Sequence, residues 1–147
     1  MFVRNVVKVC FITITAMLLL SSCTGNKDSG SNTVQNTTIT EKKGEYMQIT
    51  QEKAKNIMDT ETGYILLDVR TEEEFAEGHI PGAVLIPDYQ IGERAEGELT
   101  DKSQLILVYC RSGRRSKIAA EKLVNLGYTN VKEFGGIIDW PYETTKD

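Results

Sequence analysis

One thiol stands out by its neighbours. Cys110 follows the apolar run Leu105-Ile106-Leu107-Val108-Tyr109 and opens the segment Cys110-Arg111-Ser112-Gly113-Arg114-Arg115-Ser116, after which Lys117 to Leu126 repeat at helical spacing. The run reads as a strand and the repeat as a helix, so the cysteine ends a strand on a short turn that opens a helix. Successive amides of such a turn can form an anion-binding concavity, and the helix dipole adds positive potential. Arg111, Arg114 and Arg115 add fixed positive charge. Each of these favours the thiolate, which is the nucleophilic form of cysteine. From Cys110 to Arg115 the turn has six residues if the helix begins near Ser116. A thiolate, or a negatively charged persulfide formed on it, would gain charge-assisted hydrogen bonds over such a turn.

The elements that must position this turn are spread over residues 46–147. A short strand is expected at Met47 to Ile49, then a helix from Thr50 to Asp59 capped by Thr50, with Ala54, Ile57 and Met58 as its apolar stripe. Tyr64 to Val69 is nearly continuous in apolar residues, as a strand covered on both faces would be. Thr71-Glu72-Glu73-Glu74 has the form of a capping box and predicts a short helix that Gly78 ends. Ala83 to Ile86 and Leu105 to Tyr109 read as the third and fourth strands, with only weak helical character between Asp88 and Leu99. Gly127 is placed to stop the helix after Cys110, Val131 to Phe134 reads as a fifth strand, and Gly135-Gly136 with Ile137 to Trp140 closes the domain. Strands alternating with helices at these lengths predict the α/β class, a parallel five-stranded sheet with helices on both faces. Ligands of such sheets bind beyond the carboxyl ends of the strands, which brings Asp68 and Cys110 to one edge.

Residues 1–22 belong to another kind of segment. Arg4 and Lys8 precede the apolar stretch Val9 to Leu20, which at 12 residues is too short to span a bilayer and fits an export signal. Leu20-Ser21-Ser22-Cys23 resembles the bacterial lipobox, and the resemblance implies cleavage before Cys23 and diacylation of its thiol. Two or three acyl chains hold a protein on a membrane where one is marginal. Residues 23–45, rich in Gly, Ser, Asn, Thr and Lys, read as a flexible tether. The expectation is an exported protein, lipid-anchored on the extracytoplasmic face of a bacterial membrane. Without residues 1–22 the chain keeps 15 basic residues against 21 acidic, a net charge of −6, which argues against nucleic acid as a partner. Cys10 leaves with the signal and Cys23 carries lipid, so Cys110 is the thiol left free.

From about Met47 to Trp140 the chain resembles the rhodanese-like (thiosulfate sulfurtransferase) family in its exported single-domain form. Four motifs match in order: Leu67-Asp68-Val69-Arg70; Glu74-Phe75 with Gly78-His79-Ile80-Pro81-Gly82-Ala83; Val108 to Ser116; and Gly135-Gly136 followed by Trp140. The resemblance implies the rhodanese-like fold, catalysis by Cys110 through a persulfide, and donor binding by Arg111, Ser112, Gly113, Arg114, Arg115 and Ser116. Its small-molecule partners would be an anionic sulfur donor such as thiosulfate and a thiol or cyanide acceptor, with no metal and no cofactor. The cell-cycle phosphatases that share the fold carry Cys, five residues and then Arg; here Ser116 stands in that place and Tyr109 replaces the histidine common before their cysteine. Asp68 and Arg70 are expected to shape the edge of the site through internal hydrogen bonds, and His79 to order the turn between a helix and a strand. The rival reading is a carrier module that holds persulfide sulfur for a partner protein without turning over free donor. A monomer is the default for a domain of this size.

Overall fold

The computed structural model describes residues 44–146. The expected export signal, the lipidation at Cys23 and all but the last two residues of the tether lie outside them. In chain order the elements are β1 (Met47–Gln48), α1 (Gln51–Thr60), β2 (Ile65–Asp68), α2 (Glu72–Glu77), β3 (Val84–Leu85), α3 (Ile91–Glu98), β4 (Ile106–Cys110), α4 (Arg114–Asn125) and β5 (Val131–Gly136), followed by a 3-10 turn at Ile137–Asp139. The strands form one sheet in the order β1-β5-β4-β2-β3, and every neighbouring pair is parallel. This is the parallel five-stranded α/β sheet that the alternation of segments predicts.

The alternation of side chains along the strands divides the core into two layers. Leu67, Val69, Ile106, Val108, Cys110 and Val131 meet Ile91 and Ala95 of α3 and Ala119, Ala120, Leu123 and Val124 of α4 on one face. Leu66, Leu107, Tyr109 and Phe134 meet Ala54 and Ile57 of α1, with Ile80 and Trp140, on the other. Each buried aliphatic side chain contributes about 1.5–3 kcal/mol by leaving water. All five residues of β4 are buried, as a central strand covered on both faces requires.

Local chemistry sets the helix starts. Thr50 accepts from the Lys53 N–H, and Thr71 forms a reciprocal box with Glu74, so both expected caps are present. Two boundaries near the cysteine differ from the sequence-based expectation. Cys110 is itself the last residue of β4, and α4 begins at Arg114 rather than near Ser116. Gly113, in the left-handed region at φ +90°, turns the chain sharply enough that Arg111 to Gly113 alone join strand to helix. The weakly helical stretch also resolves into the two-turn helix α3. Tyr128 donates its hydroxyl toward the Ala95 and Leu99 carbonyls, both at 2.8 Å, satisfying the end of α3 from 29 residues away.

A register shift lies beside the cysteine. Val108 pairs with Glu133, but Cys110 pairs with Gly136, so β5 carries one residue more than β4 over this interval. Gly135 takes φ +95° within the bulge. Such bulges kink a strand and re-aim the side chains around them.

Candidate active site

Cys110 ends the central strand and is only 1% exposed. Its sulfur accepts a hydrogen bond from the Gly113 N–H at 3.1 Å. Gly113 is also the N-cap of α4, and no side chain caps that helix or places an acidic group in its first turn. The amides opening α4 therefore have no carboxylate of their own first turn competing with an outside anion.

The turn rests on the end of β5. A Cβ on Gly136 would lie 2.3 Å from the Arg111 carbonyl oxygen and 2.5 Å from the Ser112 α-carbon, so only glycine allows the turn to sit this close. Ile138 donates its N–H to the Arg111 carbonyl at 3.2 Å, and Gln51 of α1 donates Nε2 to the Gly136 carbonyl at 2.7 Å. The closing Gly135-Gly136 pair thus serves as a floor for the cysteine turn.

The arginines divide into two kinds. Arg111 and Arg114 are exposed, and among the described residues neither has an ion-pair partner. Arg115 is committed: its two terminal nitrogens donate to the Glu74 carboxylate at 2.7 and 2.8 Å. Those hydrogen bonds hold the Arg115 pKa above the ordinary guanidinium value despite partial burial, and the negative charges of Glu74, Cys110 and Asp88 reinforce the shift. The same bonds draw Glu74 below the usual carboxylate range against its own desolvation. Arg115 therefore supplies a neutralised charge near the cysteine rather than a free anion ligand.

Ser116 also departs from expectation. The family resemblance implies donor binding by Ser116, but the residue is fully buried in the first turn of α4. Its hydroxyl donates to Glu133 Oε1 at 2.6 Å, with the Gly113 and Gly135 carbonyls farther away at 3.1 and 3.4 Å. The hydroxyl proton goes inward, so Ser116 braces the turn from below. Glu133 is the buried residue that sequence reasoning overlooked. Ser112 and Gly113 lie in the turn itself, the first exposed and the second buried.

Asp68 and Arg70 form a buried pair at the neighbouring strand end. Arg70 Nη2 lies 2.7 Å from Asp68 Oδ2, and Nε lies 2.9 and 3.0 Å from the two carboxylate oxygens. The remaining guanidinium donors reach the Glu74 and Gly78 carbonyls at 3.0 and 2.7 Å, which ties α2 to the end of β2. Burial opposes the charge on Arg70, but hydrogen bonding to Asp68 and the Asp68 charge outweigh it and raise its pKa. Through Glu74 the same helix holds Arg115. Tyr109 packs beside the pair and accepts from the Ile80 N–H at 3.2 Å; burial first, and then the Asp68 charge, push its phenol well above the ordinary range, so it stays neutral. His79 stacks on Phe75 at 3.7 Å, its Nδ1 lies 3.0 Å from the Phe75 carbonyl, and its backbone pairs with Thr145. It lies in the turn between α2 and β3.

A buried thiol at the carboxyl edge of a parallel sheet, with exposed Arg111 in the three-residue turn beside it and exposed Arg114 opening the next helix, defines an α/β domain built around one free cysteine among the described residues. A sequence profile of the rhodanese-like domain matches residues 50–141, and the chain belongs to that sulfurtransferase family. Thiosulfate sulfurtransferase PspE of Escherichia coli (strain K12) is 40% identical over 73 residues, covering 50% of this chain and 70% of that protein. A sulfurtransferase of Allochromatium vinosum is 39% identical over 88 residues, covering 59% of this chain and 79% of its own. Among solved structures, a rhodanese with anions from E. coli superposes with a TM-score of 0.54 at 36% identity, covering 57% of this chain and 99% of that one. Some matched relatives are longer, and of three of them the match spans 52%, 21% and 22%.

Proposed function

We propose that the domain transfers sulfane sulfur from thiosulfate, or a related anionic donor, to a thiol or cyanide through a persulfide on Cys110. The observation that carries this reading is the seat of the sulfur: a Gly113 N–H at 3.1 Å, with the uncapped start of α4 beside it. In the first step the Cys110 thiolate attacks the outer sulfur of thiosulfate. The bond between the two thiosulfate sulfurs breaks, and its electron pair leaves with sulfite. In the second step the acceptor's nucleophile attacks the outer sulfur of the persulfide, and Cys110 departs as the thiolate. Donors around the turn stabilise charge in both steps. Arg111 and Arg114, exposed at the rim, attract the dianionic donor.

Intact-mass measurement after thiosulfate treatment tests this reading. One added sulfur is expected on the wild-type chain and none on Cys110→Ser, which should also lose transfer from thiosulfate to cyanide. A folded wild-type protein that takes up no sulfur would refute it. Uptake of sulfur from a partner protein, without turnover of free thiosulfate, would mark the carrier instead.

The same proposal places the domain outside the cytosol on a lipid-anchored Cys23, supported by Arg4, Lys8, the apolar stretch to Leu20 and the lipobox-like Leu20 to Cys23. Metabolic labelling with a tagged fatty acid, abolished by Cys23→Ala, is the expected result. It acts as a monomer, which light scattering on the purified chain checks.

A further inference from the structure

Glu133 is a carboxylate where the sheet's periodicity places an apolar side chain. It stands two residues after Val131, on the face of β5 that packs against α4, and is only 3% exposed. A buried carboxylate is costly unless its oxygens are well hydrogen-bonded. The sulfur-transfer steps proposed above make no use of it.

What Glu133 touches is informative. Its Oε1 accepts from the Ser116 hydroxyl at 2.6 Å and from the Gly135 N–H at 2.8 Å. These donors flank Gly113 on two sides. Ser116 lies three residues beyond it in the first turn of α4, while the Gly135 α-carbon sits 3.5 Å from the place a Cβ on Gly113 would occupy. Gly113 in turn donates the hydrogen bond to Cys110 Sγ. A glycine at φ +90° has no side chain to fix its peptide plane, so that orientation must be imposed by its neighbours. The contact with Gly135 also stabilises the bulge that brings Cys110 level with Gly136.

We propose that Glu133 is a positioning residue for sulfur transfer: by gripping Ser116 and Gly135 it holds the Gly113 N–H on the Cys110 sulfur. The proposal rests on the Cys110 persulfide reading. Charge and position act here with opposite signs, which makes them separable. A carboxylate near a thiolate opposes it, so removing Glu133 would speed the thiol's reactions if charge were its role. Removing its grip on the turn slows them.

The test uses Ser116→Ala, which keeps the charge and cuts the link; Glu133→Gln, which drops the charge and keeps an acceptor oxygen; and Glu133→Leu, which drops both. The full chain is alkylated with iodoacetamide at pH 7 and pH 10, and modification of the Cys110 peptide is followed by mass spectrometry. At pH 7 the rate should fall about tenfold in Ser116→Ala and Glu133→Leu, the loss expected for one misplaced hydrogen bond to a thiolate, and stay within about threefold in Glu133→Gln. At pH 10, above the ordinary cysteine pKa, the rates should converge. In sulfur transfer the slow variants should lose kcat with the KM for thiosulfate little changed. A folded Ser116→Ala that alkylates like wild type at pH 7, or a Glu133→Gln as slow as Glu133→Leu, overturns the proposal. If Glu133→Leu does not fold, the other two variants decide. A wild-type chain that takes no sulfur from thiosulfate refutes the transfer reading alone, because alkylation needs no sulfur donor.

Discussion

Replacing Gly136 by alanine adds one methyl group where the cysteine turn meets its floor. The backbone there, φ −128°, suits alanine, so the effect is one of clearance rather than strain. The new Cβ would meet the Arg111 carbonyl oxygen at 2.3 Å, the Ser112 α-carbon at 2.5 Å and the Arg111 carbonyl carbon at 2.6 Å. Ordinary contact for such a carbon begins near 3.4 Å, so the turn must retreat by about 1 Å. All three obstructing atoms belong to backbone, which cannot swing aside as a side chain would. Overpacking of this kind costs about 1–3 kcal/mol. A displacement of about 1 Å at a reacting group costs on the order of a hundredfold in rate. Gly136→Ala should therefore lose about 1–3 kcal/mol in urea denaturation and about a hundredfold in kcat/KM for transfer from thiosulfate to cyanide. Gly92→Ala is the matched control: its Cβ meets nothing within 4 Å in α3, and it should gain about 0.5–1 kcal/mol with unchanged turnover. A folded Gly136→Ala enzyme with near wild-type turnover would refute the role of Gly136 as the floor of the turn.

Three further outcomes follow from the supporting contacts. Arg70→Met strands the buried Asp68 carboxylate without its cation and should cost about 3–5 kcal/mol in denaturant titration. Tyr109→Phe removes the acceptor of the buried Ile80 N–H, and a loss of about 1–3 kcal/mol is expected by the same measurement. Glu74→Gln should be less stable than wild type by about 1 kcal/mol at pH 7. Because the Glu74 pKa is depressed in the folded state, its contribution is fully present above the unfolded value and fades as pH falls through the folded one. The gap between Glu74→Gln and wild type should thus close below about pH 4. An equal gap at pH 7 and pH 3 would show that the pair with Arg115 is not its source.

The sequence made the strands and the cysteine turn legible because their signals are local. Leu105 to Tyr109 is continuously apolar, Thr71 to Glu74 spells its own cap, and Gly127, at φ +93° just beyond α4, sits where a helix stop requires it. What escaped depends on distant partners. Helix α3 looked weak because Gly92 and Gly97 dilute its propensity, while the Tyr128 hydroxyl that completes its end lies 29 residues beyond Leu99. Arg115 and Ser116 read as ligands because only their neighbourhood to Cys110 shows in one dimension. Their partners, Glu74 and Glu133, are 41 and 17 residues away. Glu133 carries no local mark in the sequence beyond its place in the strand Val131 to Phe134. The available hint was its alternation with Val131, which assigns both to one face.

The lengths of the five strands bear on a separate matter. The interior strands β2, β4 and β5 have four, five and six residues, while the edges β1 and β3 have two each. A long bare edge is a template on which another chain can add a strand, and it is the usual starting point of edge-to-edge association. Here each edge strand offers two residues of backbone, although Met47 and Val84 on those strands are exposed apolar side chains. The sheet keeps its extended hydrogen-bonding surface inside and leaves little for a second molecule to continue. Lengthening β3 by making residues 83–86 a regular strand would strengthen its pairing with β2 and, by the same change, open a route to aggregation.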